Sequence, residues 1–252
     1  MNYIEANLFM PVKFCEISKN YIYAGWDITQ KYGIVPKEGD LMNLTYKLLK
    51  KKENPVLLDC GSGIGDFCYI ALLIDDMTCY SIDGHPQHIK ILKYNLELNN
   101  LQDRVYTTNA IISDKVGNVD FYISNNMNRT GQSTYGRTDI LIRDGVGTYK
   151  INVPSITIDK FIEDNKIKKV DLIKLDIEGA ELMAIKGAMK TIKEYHPPLL
   201  VETEDGNTNL FDYKSKDIID LLESIGYQHI SIYSAAHNTY FWYHEEDKVD
   251  VD

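Results

Sequence analysis

Along most of the chain, short apolar runs alternate with longer stretches of helical period. After Asp40, Leu41, Leu44, Leu48 and Leu49 share one helical face, and Lys50, Lys51 and Lys52 close the segment as a helix dipole prefers. Pro55-Val-Leu-Leu-Asp59 then reads as a buried strand, and a glycine-rich turn leads into an apolar helix from about Asp66 to Ile74. A second strand, Thr78 to Ile82, ends in Asp83. Pro86 starts a helix on which Ile89, Leu92 and Leu96 recur, up to the Asn99-Asn100 stop. Val105 to Ile112 is a third strand, and Gly117 to Ile123 alternates like a hairpin partner. Residues 125–150 are polar and without a sustained period, which predicts a long loop, of a kind that is usually functional or mobile. Asp159 is then expected to cap a short helix, followed by a buried strand from Val170 to Leu175 and a helix from about Glu178 to Tyr195. Leu199 to Val201 is a fifth strand, and a helix from Lys214 to Ser224 stops at Gly226. The last apolar runs, Tyr227 to Tyr233 and Thr239 to Tyr243, read as an antiparallel pair.

Strands alternating with helices predict an α/β fold, a parallel doubly wound sheet with helices on both faces. Nothing in the sequence divides it, so residues 54–252 are expected to form one domain and residues 1–53 an N-terminal helical extension or cap. Ligands of such sheets bind beyond the carboxyl ends of the strands, so the residues just after strand ends matter most.

Composition narrows the partners. The 252 residues carry 37 acidic and 27 basic side chains, and the net charge of -10 opposes binding to nucleic acid or an anionic membrane. The longest apolar run, Ile70 to Ile74, is far short of the roughly 20 residues that cross a bilayer. With no basic, apolar leader at the start, a cytoplasmic location is expected. Cys15, Cys60, Cys68 and Cys79 show no CxxC pairing and read as buried thiols.

Three strand ends carry candidate chemistry. After the first comes Asp59-Cys-Gly61-Ser-Gly63-Ile-Gly65-Asp66, whose glycines let the backbone turn sharply and approach a ligand beside a helix start. Asp83, eighteen residues after Gly65, can accept both hydroxyls of a ribose, so the pair points to an adenosine-containing cofactor. A dinucleotide loop needs glycine at position 66, where Asp66 stands, which disfavours a dehydrogenase. Asp59 would also oppose a pyrophosphate but can face the cationic end of S-adenosylmethionine.

After the fourth strand comes Lys174-Leu-Asp176-Ile-Glu178-Gly-Ala-Glu181. Lys174 and Asp176 leave the strand on one face, where a buried lysine and aspartate would pair. Glu178 and Glu181 also suit the first turn of a helix. The fifth strand ends in Glu202, with Glu204 two residues on. Of four arginines, Arg129, Arg137 and Arg143 fall in the long loop, where with Ser133 they can clamp an anionic or polyhydroxylated acceptor; a solvated loop is the alternative. His85 and His88 flank a helix start; they could be bases, but read rather as an exposed cap.

Val56 to Asp66, Ile82-Asp-Gly-His-Pro86, Ile156-Thr-Ile-Asp-Lys-Phe161, Asp171 to Leu182 and Lys186-Gly-Ala188 together resemble the FkbM-type methyltransferases, from about residue 54 to Glu202. The resemblance implies a class I methyltransferase Rossmann-like fold: a mostly parallel seven-stranded sheet with an antiparallel C-terminal strand and helices on both faces. It implies S-adenosylmethionine held by Asp59, Gly61, Gly63, Gly65 and Asp83, to which Asn109 and Asp176 are added, and O-methylation of a sugar or natural product. Asp176 is then the expected base, with Lys174 and Glu178 beside it as catalytic residues and Arg129, Ser133, Arg137, Arg143 and Glu202 on the acceptor. Surface-polysaccharide biosynthesis is a setting the family suggests. The expected partner is a small sugar or phosphorylated metabolite, with no nucleic acid and no membrane; a homodimer is left open. One alternative of the same fold places a divalent metal between Asp176, Glu202 and Glu204, and no metal is predicted. A second is a non-catalytic module that binds S-adenosylmethionine.

Overall fold

The computed structural model describes residues 3–7, 11–15, 26–29, 33–36, 39–124, 136, 148–203, 208, 211–233 and 238–246. The first strands are β1 (Tyr3–Asn7), β2 (Pro11–Cys15), β3 (Trp26–Thr29) and β4 (Gly33–Pro36), joined in the order β2-β1-β4-β3. This corrects the expected helical extension. Runs such as Tyr3-Ile-Glu-Ala-Asn7 and Pro11-Val-Lys-Phe-Cys15 mix aromatic and β-branched residues with polar ones, a composition that favours strand. The expected helix follows as α1 (Gly39–Leu49), with Leu41 and Leu49 buried.

The main sheet holds β5 (Val56–Cys60), β6 (Thr78–Asp83), β7 (Val105–Asn109), β11 (Leu172–Leu175), β12 (Leu199–Glu202), β13 (Tyr227–Tyr233) and β14 (Asn238–His244). Its order is β13-β14-β12-β11-β5-β6-β7. The last strand is the antiparallel one, inserted between β12 and β13 and bonded to both. β5 lies between β6 and β11, so the strand order reverses there and the ligand crevice opens above it.

Side chains alternate along the inner strands into two apolar layers. Leu57, Leu172, Leu200 and Phe241 join a layer with α1, the Phe67–Leu72 segment and α2 (Pro86–Leu98). Leu58, Ile173, Val201 and Trp242 join the other, with α3 (Ile158–Asp164), α4 (Glu181–Lys186), α5 (Met189–Tyr195) and α6 (Ser215–Glu223). The period of two then places Asp59 and Lys174 on the face of Leu57 and Leu172, at its carboxyl edge.

The structure changes four further boundaries. The expected apolar helix is present as a 3-10 helix, Phe67–Leu72, that stops short of Ile74; the Arg104 guanidinium donates to the carbonyls of Ala71, Ile74 and Asp75 at its end, at 2.7, 2.9 and 3.0 Å. The third strand breaks at Ala110: β7 ends at Asn109, and β8 (Ile111–Ile112) crosses into a second sheet of order β8-β10-β9. There β9 (Gly117–Ser124) pairs antiparallel with β10 (Thr148–Ile156), so the last three residues of the expected loop are strand. The helix expected from Glu178 to Tyr195 is two helices, divided at Gly187, where a Cβ would collide with the Ser113 carbonyl oxygen.

Asp159 caps a different helix from the one expected. Thr157 caps α3 by accepting from the Lys160 N–H at 3.1 Å. Asp159 instead accepts from the backbone N–H of Lys190 and Thr191 and from the Thr191 hydroxyl at 3.0, 2.8 and 2.7 Å, closing the start of α5. Asp159→Ala leaves those donors without their acceptor and is expected to lower unfolding free energy by about 1–2 kcal/mol, read by urea denaturation.

Candidate active site

Backbone proximity shapes the glycine turn. Gly61 donates to the Ile82 carbonyl at 2.8 Å, has a φ of +81°, and has no room for a Cβ, which would collide with the Asp176 carbonyl oxygen. The turn after β5 and the turn after β11 therefore touch backbone to backbone. Gly63 differs: at a φ of +53° a Cβ there would meet nothing within 4 Å, so it borders open space. Gly65 packs against Leu92 of α2. The Ser62 Oγ is buried and has no hydrogen-bond partner among the described residues.

Lys174 and Asp59 are register partners on β11 and β5, and both are buried. The Lys174 Nζ lies 2.9 Å from Asp176 Oδ2 and 3.9 Å from Asp59 Oδ1, and 4.9 Å from the centre of the Phe67 ring. Two carboxylates around one ammonium leave a net negative charge at the sheet edge. Asp176 keeps 29% of its side chain exposed, whereas Asp59 keeps none.

The turn from Asp176 to Ala180 is held from below. Glu181 is buried, and its Oε1 accepts from the N–H of Ile177 at 2.9 Å and of Gly179 at 3.3 Å. The Tyr213 hydroxyl donates to the Gly179 carbonyl at 2.7 Å and lies 3.3 Å from Glu181 Oε2. One hydroxyl carries one proton, so with the shorter bond made, a proton on Glu181 best closes the longer contact. Burial pushes the Glu181 carboxyl up to about 7, against the pull of its backbone N–H donors. Glu178, two residues after Asp176, has a φ of +57°.

Asp83 ends β6 beside Gly63. Its Oδ2 accepts from the Gly63 N–H at 2.8 Å and its Oδ1 from the His85 N–H at 2.6 Å. His88 Nδ1 stands 3.4 Å from Oδ1. Burial alone would raise this carboxyl; the charge and hydrogen bond of His88 and the two backbone donors outweigh it and hold it below the usual range. His85 and His88 are not an exposed cap: both are buried and stacked 4.1 Å apart, because His85 caps α2 by accepting from Gln87 N–H while His88 turns back to Asp83. Burial, then the neighbouring His88, pushes the His85 ring down to about 4.

The structure thus brings Asp59, Lys174, Asp176, Gly61, Gly63 and Asp83 together at the carboxyl ends of β5, β6 and β11. Asn109 lies beside Asp83 but spends its amide N–H groups on the carbonyls of Asp83 and Gly84 at 2.9 and 3.0 Å, which shapes that turn. Glu202 ends β12, next to β11, and is buried. Arg129, Ser133, Arg137, Arg143 and Glu204 lie outside the described residues. Sequence reasoning missed Glu181 and His88 as supports. Their signals were an acid two residues past Gly179 at a helix start, and a histidine on the first turn after Asp83.

A profile of the methyltransferase FkbM domain matches residues 59–229. The chain belongs to the FkbM methyltransferase family. A methyltransferase named sdnD from Sordaria araneosa is 23% identical over 180 residues, 63% of this chain and 70% of that one. Among solved structures, the methyltransferase FkbM from Methylobacillus flagellatus KT is 17% identical with a TM-score of 0.51. That match covers 75% of this chain but 43% of the other, so this chain spans less than half of that relative's length. A protein described as a caffeoyl-CoA O-methyltransferase from Staphylococcus aureus shares the fold with a TM-score of 0.50 at 12% identity, over 90% of this chain and 91% of its own. Membership makes the chain a methyltransferase, and S-adenosylmethionine is its methyl donor. The crevice fits that donor: Gly63 borders open space, Ser62 Oγ is a buried polar atom in want of a partner, and the carboxylates around Lys174 suit a cationic ligand.

The support beneath this crevice titrates near neutrality. The folded carboxyl of Glu181, at about 7, lies above its ordinary 4.5, so the folded chain keeps a proton the unfolded chain has lost. The stability this group contributes is full below pH 4.5 and is lost as pH rises to about 7. Glu181→Gln keeps an acceptor for both backbone N–H groups. It is expected to remove a downward slope of at most about 1.4 kcal/mol per pH unit across that window, read as the wild-type minus variant difference in urea denaturation.

Proposed function

We propose that the protein methylates an oxygen of a sugar or phosphorylated small molecule, with S-adenosylmethionine as donor and Asp176 as the base. The reading rests on one observation above the rest: Asp176 reaches solvent at the mouth of the crevice while Lys174, 2.9 Å away, fixes its carboxylate. The donor supplies an electrophilic methyl on a sulfonium, so the chain's own work is alignment, exclusion of water and removal of one proton. Asp83 and the Gly61–Gly65 turn would hold the adenosine end, with the Asp83 carboxylate, which also accepts from the Gly63 and His85 N–H groups, available to its ribose hydroxyls. Asp59, fully buried, would supply negative field for the sulfonium of the bound donor. Asp176 accepts the hydroxyl proton of the acceptor, and Lys174 orients that carboxylate from behind. Glu178 and Glu202 stand along the same edge, where they can bind acceptor hydroxyls. Arg129, Arg137 and Arg143 with Ser133 are assigned to the acceptor's anionic or hydroxyl groups. The acidic net charge of the chain supports a small acceptor over a polynucleotide. Polysaccharide decoration in the cytoplasm is the setting this reading favours.

Calorimetric titration with S-adenosylmethionine tests the cofactor half: Asp83→Ala should weaken binding by about tenfold or more, having lost the acceptor of ribose hydroxyls. Turnover of methyl-labelled donor on a panel of hexose phosphates and nucleoside-diphosphate sugars tests the other half. Asp176→Asn should bind the donor within about threefold of wild type and lose at least about a hundredfold in kcat. A loss below tenfold would remove Asp176 from its role.

A further inference from the structure

The carboxyl edge of the sheet carries the reaction, but another group of side chains converges at the opposite edge. His196 follows α5, His244 ends β14, and Glu246 lies two residues beyond. Among the described residues these three form the one set of histidine, cysteine and acidic groups whose ligand atoms gather closely enough to hold a metal, all within 4.8 Å of one another. Glu246 Oε2 is 3.8 Å from His196 Nδ1 and 3.9 Å from His244 Nδ1. The two rings stack with centres 3.8 Å apart and planes 10° from parallel.

The surrounding backbone already fixes the three positions. His196 occupies the left-handed region at a φ of +44°, closing α5 with its N–H on the Ile192 carbonyl at 3.0 Å. The Tyr227 hydroxyl holds the next residue, donating to the Pro197 carbonyl at 2.9 Å. Across the edge, the Glu245 N–H donates to the Gly226 carbonyl at 3.0 Å. Gly226 leaves the room that His244 takes: a Cβ there would stand 2.7 Å from Nε2. With Nε2 facing that backbone, the His244 Nδ1 lone pair faces Glu246 and accepts its N–H at 3.4 Å, a long bond that a metal at Nδ1 would have to replace.

We propose that His196, His244 and Glu246 form a binding site for a divalent transition ion of the Zn²⁺ type, which ties the corner between α5 and β12 to the end of β14. Two imidazoles and one carboxylate suit a borderline ion, whereas Mg²⁺ prefers an all-oxygen octahedron. Ligand distances of about 2.1 Å in a tetrahedron put ligand atoms about 3.4 Å apart, so the observed 3.8 and 3.9 Å need to close by about half an ångström. Stacked rings aim their lone pairs side by side, so one ring must turn on binding. The His196 side chain, 32% exposed, has room to do so, and Glu246, 73% exposed, can swing to meet it. Water supplies the fourth position. Because β12 starts at Leu199 and pairs with Trp242, the site lies at the amino edge of the parallel strands, away from Asp59 and Asp176, and its work is to brace the fold.

The test is thermal unfolding and calorimetry of the tag-free, chelator-treated chain with Zn²⁺ alone and Mg²⁺ alone. Zn²⁺ in saturating excess is expected to raise Tm by about 5 °C, with no response to Mg²⁺. His196→Asn, which tolerates the left-handed backbone, and Glu246→Gln should each weaken Zn²⁺ binding by about tenfold or more. Loss of the Zn²⁺ response in either folded variant supports the site. A wild-type chain that does not respond to Zn²⁺, an equal response to Mg²⁺, or a response kept in both variants overturns it.

Discussion

A buried lysine cannot stand alone in an apolar layer, and the answer this chain finds for Lys174 organises everything above the sheet. Its ammonium is held by Asp59 from the neighbouring strand and by Asp176 from its own exit, with the Phe67 ring alongside. Each partner belongs to a different turn. Asp59 opens the glycine turn, Asp176 opens the turn toward α4, and Phe67 begins the 3-10 segment. The ion triad therefore locks the three into one arrangement, and it can do so only because the parallel register sets Lys174 opposite Asp59. A slip of one residue would send these charges into the opposite apolar layer, so the pairing also selects the register.

Much of this was legible from residue pattern. The order of strands and helices followed from apolar period, and the glycines, Asp83 and the Lys174 to Glu181 stretch were read in place. Lys174 and Asp176 were expected to pair because alternation puts both on one face, and they do. What the pattern missed depended on contacts distant in sequence. Asp159 looked like a cap for the helix beside it, but Thr157 took that role and Asp159 reached across to α5, some thirty residues away. The break at Ala110 needs the Asp83 and Gly84 carbonyls to hold Asn109 before β8 can cross into another sheet. The N-terminal strands pair chiefly with one another, and their short mixed runs carry weak period. His85 and His88 resembled surface caps because helix starts commonly face water; here Asp83 draws His88 inward and the rings stack.

The turn from Asp176 to Glu181 shows how local cost and global purpose separate. Glu178 adopts a φ of +57° and Gly179 one of +100°, two consecutive left-handed residues of which the first, with its Cβ, is strained by on the order of 1 kcal/mol. A helix could run back toward Asp176 without that strain, but it would turn the N–H groups of Ile177 and Gly179 away from the Glu181 carboxyl. The chain instead breaks before Glu181 and buries an acid to catch both groups. The arrangement keeps the Asp176 carbonyl pressed against Gly61 while the Asp176 side chain stays at the mouth of the crevice. Strain in the turn and a proton-hungry acid beneath it are then two halves of one device, which holds a partly exposed carboxylate still. A looser turn would leave the same residues present but would let the carboxylate wander.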